Sequence, residues 1–542
     1  MHVLRALVRG FRGSEAISLG QVLRRADWRF LLPDPMPAKT ALFARGFLAD
    51  AVRAVAGESV DGTSPDATDC QLAVLQQPDS DSDAVAAAFK ALLPGGSCYS
   101  EWSGLVPGTL RRVRALLEGA GFVDVRLFWT VPSSDSARAW FEVDSDAPGY
   151  RRVVRNLVAQ AGAGSLAGAI LPFAVDVAFF LGLFPAMCAV GRKPPSAGIS
   201  LAGHGIDFPG WLAEGIAESG GLSADDLLLV MRAGGNDVEN KVTWLGYAKG
   251  APELRWVAKV PRSPATAAAL RREHEMLLLL NAVPNRIEGV VVPRVALWEE
   301  FDGLPVLVQT ALGGESLNAE ARRSQYPALA RTLGDTLATF AGQPGATTAD
   351  EWWSKLVEPW LDRLSDSLEL LGGSTIASSV NAALADLGTL PLVWAHNDCT
   401  PWNATIEGDR LGLFDWEDGV AEGLPLVDLV YLLANTAFIV DRRADAVRTY
   451  QRLLDRSNTW GAVFSDTLDA YADKVGVRRE DVILLRIATW LIHSAQDLEI
   501  RLAKTGNPSP QILDDSICLA ILRAELDAYE AGMTLHARNS PA

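Results

Sequence analysis

The sequence holds five cysteines, Cys70, Cys98, Cys188, Cys399 and Cys518, scattered over 542 residues with no C-x-x-C pair and no metal-ligand spacing. That pattern fits a reducing cytosol. Positive charge is also in short supply, since 49 Lys and Arg against 66 Asp and Glu leave a net charge of −17. Nothing would offset phosphate repulsion, which argues against general nucleic-acid binding. Residues 1–12 carry charges throughout and lack a long apolar core, so they do not read as a signal peptide. One long apolar run is present, 166–190, with a single charge at Asp176 and prolines at Pro172 and Pro185. A charge near the centre is costly in lipid and prolines break helices. The run is therefore read first as a buried insert, second as an interfacial, membrane-contacting helix and last as a span. A chain of this length is too long for one ordinary core, and two or three domains are expected.

What is present is concentrated in residues 393–417, VWAHNDCTPWNATIEGDRLGLFDWE. The stretch reads as a strand, a polar loop and two further short strands. His396, Asp398 and Asn403 form H-x-D-x-x-x-x-N, and Asp415 closes the last strand. Phosphoryl transfer needs one carboxylate at the incoming hydroxyl, and an amide oxygen with a second carboxylate to hold Mg²⁺ against nucleotide phosphates. Asp398 suits the first task, Asn403 and Asp415 the second. The competing reading of the His-Asp pair alone is a turn closed by an Asx hydrogen bond. Cys399, beside the proposed base, reads as a small loop filler.

These residues resemble the catalytic loop and metal-binding segment of the aminoglycoside phosphotransferase and choline kinase families, relatives of the protein kinases. His396-Asn397-Asp398 is closer to the choline kinases, and Asp415-Trp416-Glu417 to the aminoglycoside kinases. The resemblance implies an α+β bilobal, protein-kinase-like domain, with a small lobe over 225–317 and a helical large lobe over 318–542.

Short apolar runs from residue 226 onward mark an antiparallel sheet, with strands over 227–232, 241–247, 254–260, 291–297 and 304–309. Between the first two, Gly234-Gly235 forms a turn that in a kinase would offer backbone N–H groups to the triphosphate; by itself it is a hairpin turn. It lacks G-x-G-x-x-G. Lys259, at the end of the third strand, would pair with phosphate oxygens and needs a carboxylate partner. The helix over 265–280 supplies Glu273 and Glu275, which lie too far apart around the helix for both to face the lysine. Glu273 is assigned the pairing role and Glu275 an exposed salt bridge. The segment from Gln309 to Ala311 would meet adenine through its backbone.

Helical spacing marks 324–342, 349–371, 374–387, 426–440, 444–456, 465–474, 479–504 and 510–529. Asp428, a carboxylate in an apolar helix, is assigned with His396 to supporting the catalytic loop, because buried carboxylates seldom stay unpaired. His493, Asp497 and Glu499 read equally as acceptor-site or solvated side chains. Trp352, Trp353 and Trp360 read as core or lobe-interface residues ahead of an aromatic cage.

The front of the chain alternates strands (71–75, 97–101, 123–129) with helices (83–93, 110–120), the mark of a parallel α/β sheet. Residues 137–143 and 186–192 supply two more strands. The ALLPGGSCYSE turn and LRRVRALLEGAGFVDVRLFW unit resemble the second half of class I S-adenosylmethionine methyltransferases, implying a Rossmann-like sheet over 1–195. The glycine-rich cofactor turn of that family is missing. Residues 40–50 offer only Gly46, with Arg45 where small residues are wanted. Glu58 and Asp61 are the candidates for a ribose-binding acid, and a plain surface loop is the alternative. Little chain is left there for the usual intervening strand. The domain reads as degenerate, without methyl transfer or S-adenosylmethionine. The stretch 191–205, rich in Gly, Pro and Ser, is read as the domain boundary, within a linker over 196–224 that carries a short helix over 209–218.

The sequence thus leads to an ATP- and Mg²⁺-dependent kinase acting on a small-molecule hydroxyl (sugar, aminocyclitol or amino alcohol), cytoplasmic, with peripheral membrane or lipid-linked substrate contact as an option. The alternatives are a non-catalytic pseudokinase scaffold and a bifunctional methyltransferase-kinase.

Overall fold

The computed structural model describes residues 18–76, 82–103, 108–143, 145–161, 175–195, 207–282, 289–341, 346–347, 349–373, 376–442, 445–505 and 508–539. The chain divides into two compact units: residues 1–271 with 295–311, and residues 272–294 with 312–542.

The first unit is organised on one sheet. Its strands are β1 (Lys39–Phe43), β2 (Glu58–Asp61), β3 (Cys70–Gln76), β4 (Leu92–Ser103), β5 (Val123–Val131), β6 (Ala139–Glu142), β7 (Ala186–Arg192), β8 (Leu227–Ala233), β9 (Lys241–Ala248) and β10 (Leu254–Pro261). After the two-residue β11 (Val290–Val291), which belongs to the second unit, come β12 (Val295–Phe301) and β13 (Leu304–Thr310). The order across the sheet is β12-β13-β10-β9-β8-β6-β5-β7-β4-β3-β1-β2. β2, β1, β3 and β4 are parallel, and β3, flanked in the sheet by β1 and β4, is the near-continuous apolar strand such a position demands. Every other pairing in the sheet is antiparallel.

The join between front part and small-lobe strands is β6 against β8, with Ala139 opposite Arg232 and Trp140 opposite Met231. One apolar cluster runs across it, taking Trp28, Phe30, Tyr99 and Trp140 from the front and Phe208, Met231, Trp244 and Val260 from beyond residue 207. Of the expected linker over 196–224, the described residues 207–224 consequently lie inside the first unit. Residues 196–206 are outside the described range. Helix Phe208–Gly220, capped by Asp207 accepting from the Gly210 N–H, buries Phe208, Leu212 and Ile216 in that shared cluster. Composition marks where local packing is weak; it does not register strands that pair across the weak stretch.

Three further differences have local causes. The interval with little room for a strand does form β2, a four-residue edge that needs few residues and exposes Glu58 and Asp61. The strand expected over 291–297 is two strands, β11 and β12; Pro293, which lacks an N–H for the ladder, stands between them. The helix expected over 349–371 is two helices, Ala349–Leu356 and Glu358–Leu370, with Pro359 in the first turn of the second.

Of the apolar run, residues 166–174 are outside the described range. Beyond them Val175 is buried, Asp176 pairs with Arg155 at 3.2 Å, Phe180 is 85% exposed, and the run ends in β7. Among the described residues no helix is long and apolar enough to cross a membrane.

The second unit carries the helices Tyr326–Phe340, Val427–Val440, Thr459–Val475, Val482–Thr505 and Ile517–Asn539. It also has small sheets, among them a two-stranded pairing of Ala346–Thr347 with Leu390–Pro391 and two others. One joins β11, Arg410–Leu413, Ala404–Glu407 and Glu315–Ser316; the other pairs Val393–Ala395 with Val420–Gly423.

Candidate active site

In the second unit the loop after strand Val393–Ala395 is held from below by one carboxylate. Asp428, in the first turn of helix Val427–Val440, accepts from the backbone N–H groups of His396 (2.6 Å) and Asn397 (2.8 Å). Burial raises its pKa, with His396 and the two backbone donors opposing the rise. Asn397 adopts a left-handed backbone (φ 60°), and its Nδ2 donates to the Asp418 carbonyl at 2.9 Å. An Asn tolerates that conformation at low cost. His396 is fully buried against Trp416, its Nε2 donates to the Phe414 carbonyl at 2.9 Å, and its Nδ1 faces the Asp398 N–H at 3.3 Å. The imidazole thereby ties the loop to the strand end that carries Asp415.

Asp398 is set by Asn403, whose Nδ2 donates to the Asp398 carboxylate at 2.7 Å and to its carbonyl at 3.1 Å. With both bonds on the amide nitrogen, the Asn403 Oδ1 is turned away from Asp398 and can serve as a ligand oxygen. The pKa of Asp398 is pushed up to about 6, first by burial and then by the carboxylates of Asp415 and Asp418, while His396 and Asn403 pull it down. Asp415 itself sits in a left-handed conformation (φ 71°) at the turn into Trp416–Asp418. Among the described residues no cluster of three or more His, Cys, Asp or Glu could bind a metal. One amide oxygen and one carboxylate nevertheless suit Mg²⁺, which keeps several waters and takes phosphate oxygens. Cys399 is fully buried, and burial raises its thiol pKa far above the ordinary range, as a loop filler requires.

A carboxylate with a pKa near 6 is tuned for proton uptake near neutrality. If it is the base, turnover should climb from roughly pH 5 to pH 7 and level off above, because the protonated form cannot accept a proton. A pH–rate profile flat across that range would remove Asp398 from the role.

The structure brings His396, Asp398, Asn403, Asp415 and Asp428 together. Glu273, also in the second unit, is fully buried and Glu275 exposed, the division expected from helix geometry. The remaining candidates lie in the first unit. Lys259 is on β10, between Thr243 of β9 and Leu307 of β13, and is 7% exposed. Gly234 and Gly235 begin the loop between β8 and β9. Gln309 is buried, with no partner for its Oε1 among the described residues. The Ala311 N–H donates to the Arg255 carbonyl at 2.8 Å. Extended pairing with β10 thus takes up the donor of Ala311.

In the helical part His493 is buried rather than solvated, stacked on Tyr431 with centroids 3.4 Å apart, and burial lowers its pKa to about 3. Asp497 is bonded to Arg501 and Ser516, and Glu499 is paired with Arg363. Trp352 is core, while the Arg363 guanidinium covers the Trp360 ring at 4.1 Å. Sequence reasoning passed over Asp418, whose carbonyl anchors Asn397, and Tyr431, whose phenol is an electrostatic neighbour of Asp398. The only signal for Asp418 was its place beside Asp415-Trp416-Glu417. Tyr431, one turn past Asp428, gave none.

From Leu227 onward antiparallel strands are followed by a helical part in which the H-x-D-x-x-x-x-N loop and the following aspartate come together. Residues 230–463 match the family model described as the phosphotransferase enzyme family. No curated protein matches. Among solved structures, the streptomycin–ATP–APH(2")-IIa ternary complex is similar at 15% identity, over 54% of this chain and 93% of that one, with a TM-score of 0.32. A choline/ethanolamine kinase family protein from Mesorhizobium loti is similar at 17% identity, over 55% and 92%, with a TM-score of 0.32. Spectinomycin phosphotransferase APH(9)-Ia, complexed with ADP and spectinomycin, is similar at 10% identity, over 56% and 93%, with a TM-score of 0.32. The family match covers nothing before residue 230, so the methyltransferase resemblance of the front part has no support from it.

Proposed function

We propose that the chain is an ATP-dependent O-phosphotransferase acting in the cytosol on a hydroxyl of a small molecule, a sugar, aminocyclitol or amino alcohol. The observation that carries this reading is Asp398, oriented by Asn403, raised to about 6 and placed on a loop that Asp428 pins. The acceptor hydroxyl gives its proton to the Asp398 carboxylate as its oxygen bonds to the γ-phosphorus. The bond from that phosphorus to the bridging oxygen breaks, and ADP leaves. Asn403 and Asp415 would hold Mg²⁺, which when bound offsets phosphate charge. Lys259, with Glu273 as its carboxylate partner, would hold the nucleotide phosphates. The 309–311 segment would meet adenine through atoms other than the Ala311 N–H. In this scheme residues 225–317 act as the nucleotide lobe and 318–542 as the acceptor lobe.

A thermal-shift assay tests the reading. Mg·ATP at about a hundred times its dissociation constant should add roughly 2.7 kcal/mol of stability. No shift at millimolar nucleotide would favour the scaffold alternative.

For the front part we propose a Rossmann-like, methyltransferase-type sheet that supports the kinase-like strands rather than methylating. The parallel order β2-β1-β3-β4 supports the topology. The loss of the cofactor turn is supported by Arg45 at the β1 end, and by Asp61, whose carboxylate accepts from the N–H (2.9 Å) and hydroxyl (2.6 Å) of Thr63. Stabilisation by S-adenosylmethionine would favour the bifunctional alternative.

A further inference from the structure

The loop between β8 and β9 does not stand on its own strands alone. Arg262, one residue past the end of β10, is completely buried and reaches back under it. Its Nη2 donates to the carbonyls of Gly234 (3.0 Å) and Gly235 (3.4 Å), and its Nη1 to the carbonyl of Asp237 (2.9 Å). The same guanidinium is gripped by Asp27, with Nε 3.1 and 3.2 Å from the two carboxylate oxygens and Nη2 at 2.9 Å. Asp27 is itself fully buried. Arg29, just beyond, donates to the Arg262 carbonyl. In helix Leu19–Arg25, the Arg24 Nη1 donates to the Asn236 Oδ1 at 2.7 Å. A Cβ on Gly20 of that helix would come within 1.7 Å of the Asn236 carbonyl oxygen.

In a planar trans peptide the N–H points opposite to the C=O. Carbonyls of 234, 235 and 237 turned onto Arg262 therefore send the N–H groups of Gly235, Asn236 and Val238 to the opposite side. None of those three N–H groups is bonded to another described residue. Successive N–H groups on one side of a turn make an anion-binding concavity. Beneath it, Arg262 is bonded to Asp27 and the guanidinium groups of Arg29 and Arg24 are further electrostatic neighbours of that carboxylate, positive charge set against the acids of the loop itself, Asp237 and Glu239. The left-handed Gly235 (φ 65°) completes the turn, and a Cβ there would collide with the Asn240 side chain.

We infer that Gly20, Arg24 and Asp27, from the front of the chain, act with Arg262 as positioning residues that orient the 234–238 loop to present its N–H groups to the nucleotide phosphates. The inference deepens the kinase reading and rests on it. The front segment is then part of the nucleotide-binding apparatus. The same helix is anchored on the front sheet by Arg25 bonded to Glu101 (2.7 Å) and Asp135 (2.9 Å).

The test uses the full-length protein, with Mg·ATP affinity measured by calorimetry and acceptor-free ATP hydrolysis giving KM and kcat. Gly20→Ala is the sharpest variant, because alanine favours the helix while its methyl displaces the loop. It and Arg24→Ala should raise KM for ATP about three- to tenfold, and Asp27→Asn about tenfold or more, each exceeding any fall in kcat; tenfold corresponds to about 1.4 kcal/mol. Variants that melt like wild type and bind Mg·ATP within about twofold of it overturn the inference, as does a loss confined to kcat. Should Asp27→Asn fail to fold, Gly20→Ala and Arg24→Ala decide. A wild-type chain that binds no nucleotide brings down the kinase reading itself, which is a different result from wild-type and variant chains binding equally well.

Discussion

Asp398→Asn should lower phosphate transfer by roughly 10²–10⁴-fold, the range that a positioned general base supplies. Mg·ATP affinity should stay within about threefold, since in the proposed scheme Lys259, Asn403 and Asp415 hold the nucleotide and metal. The Asn side chain keeps an oxygen to accept from Asn403 Nδ2, so the loop need not move. A second readout separates loss of the base from damage to the fold. The folded-state pKa of Asp398 lies near 6, above its ordinary value of 3.8. The folded protein therefore binds more protons in that window, stability falls as pH rises through it, and the full penalty is present at neutral pH. Removing the charge should raise the melting temperature at neutral pH and leave it nearly unchanged below about pH 4. A lower melting temperature with lost activity would point to structural damage, and unchanged turnover would end the assignment of the base.

The second large effect is expected from deletion of the front part. A chain beginning at Gly205 would look intact by composition, because it starts in the Gly/Pro/Ser-rich stretch. It would instead bare the edge of β8 where Ala139 and Trp140 now pair. It would also strip Trp28, Phe30 and Trp140 from the cluster that covers Phe208, Met231 and Trp244, and leave Arg262 buried without Asp27. Removing one partner of a buried ion pair costs about 3–5 kcal/mol by itself, against a total stability of roughly 5–15 kcal/mol for an ordinary domain. We expect this chain to be insoluble or to melt without a cooperative transition by circular dichroism. A soluble chain that melts cooperatively and binds Mg·ATP would show that the small-lobe strands form an independent core.

The chemistry of the second unit was legible because its residues are close in sequence. His396, Asp398 and Asn403 fall within one loop and Asp415 within the next strand turn, so local spacing stood in for spatial proximity. Asp428 was found by a different argument, that a carboxylate in an apolar helix needs partners, and the loop N–H groups of His396 and Asn397 are those partners. The antiparallel strands β8, β9 and β10 followed from short apolar runs, and the burial of Glu273 with exposure of Glu275 followed from the angle between helix positions.

What sequence could not supply depended on long-range pairing. Nothing local tells Trp140 that it will lie opposite Met231, 91 positions on, or Asp27 that it will meet Arg262, 235 positions on. Composition suggested a boundary at 191–205, yet helix Phe208–Gly220 just beyond it packs in the first unit's core, since strand pairing is indifferent to the composition of the chain that connects the strands. The same holds for pKa: the sequence placed a carboxylate at 398, but its rise to about 6 comes from burial and from the field of Asp415 and Asp418. The sequence by itself therefore determined which candidate residues gather in the loop at 396–403 and most of the local elements that carry them. Tertiary structure decided the proton affinity of Asp398 and which distant residues brace the loop at 234–238, because desolvation and buried ion pairing exist only once the chain has closed on itself.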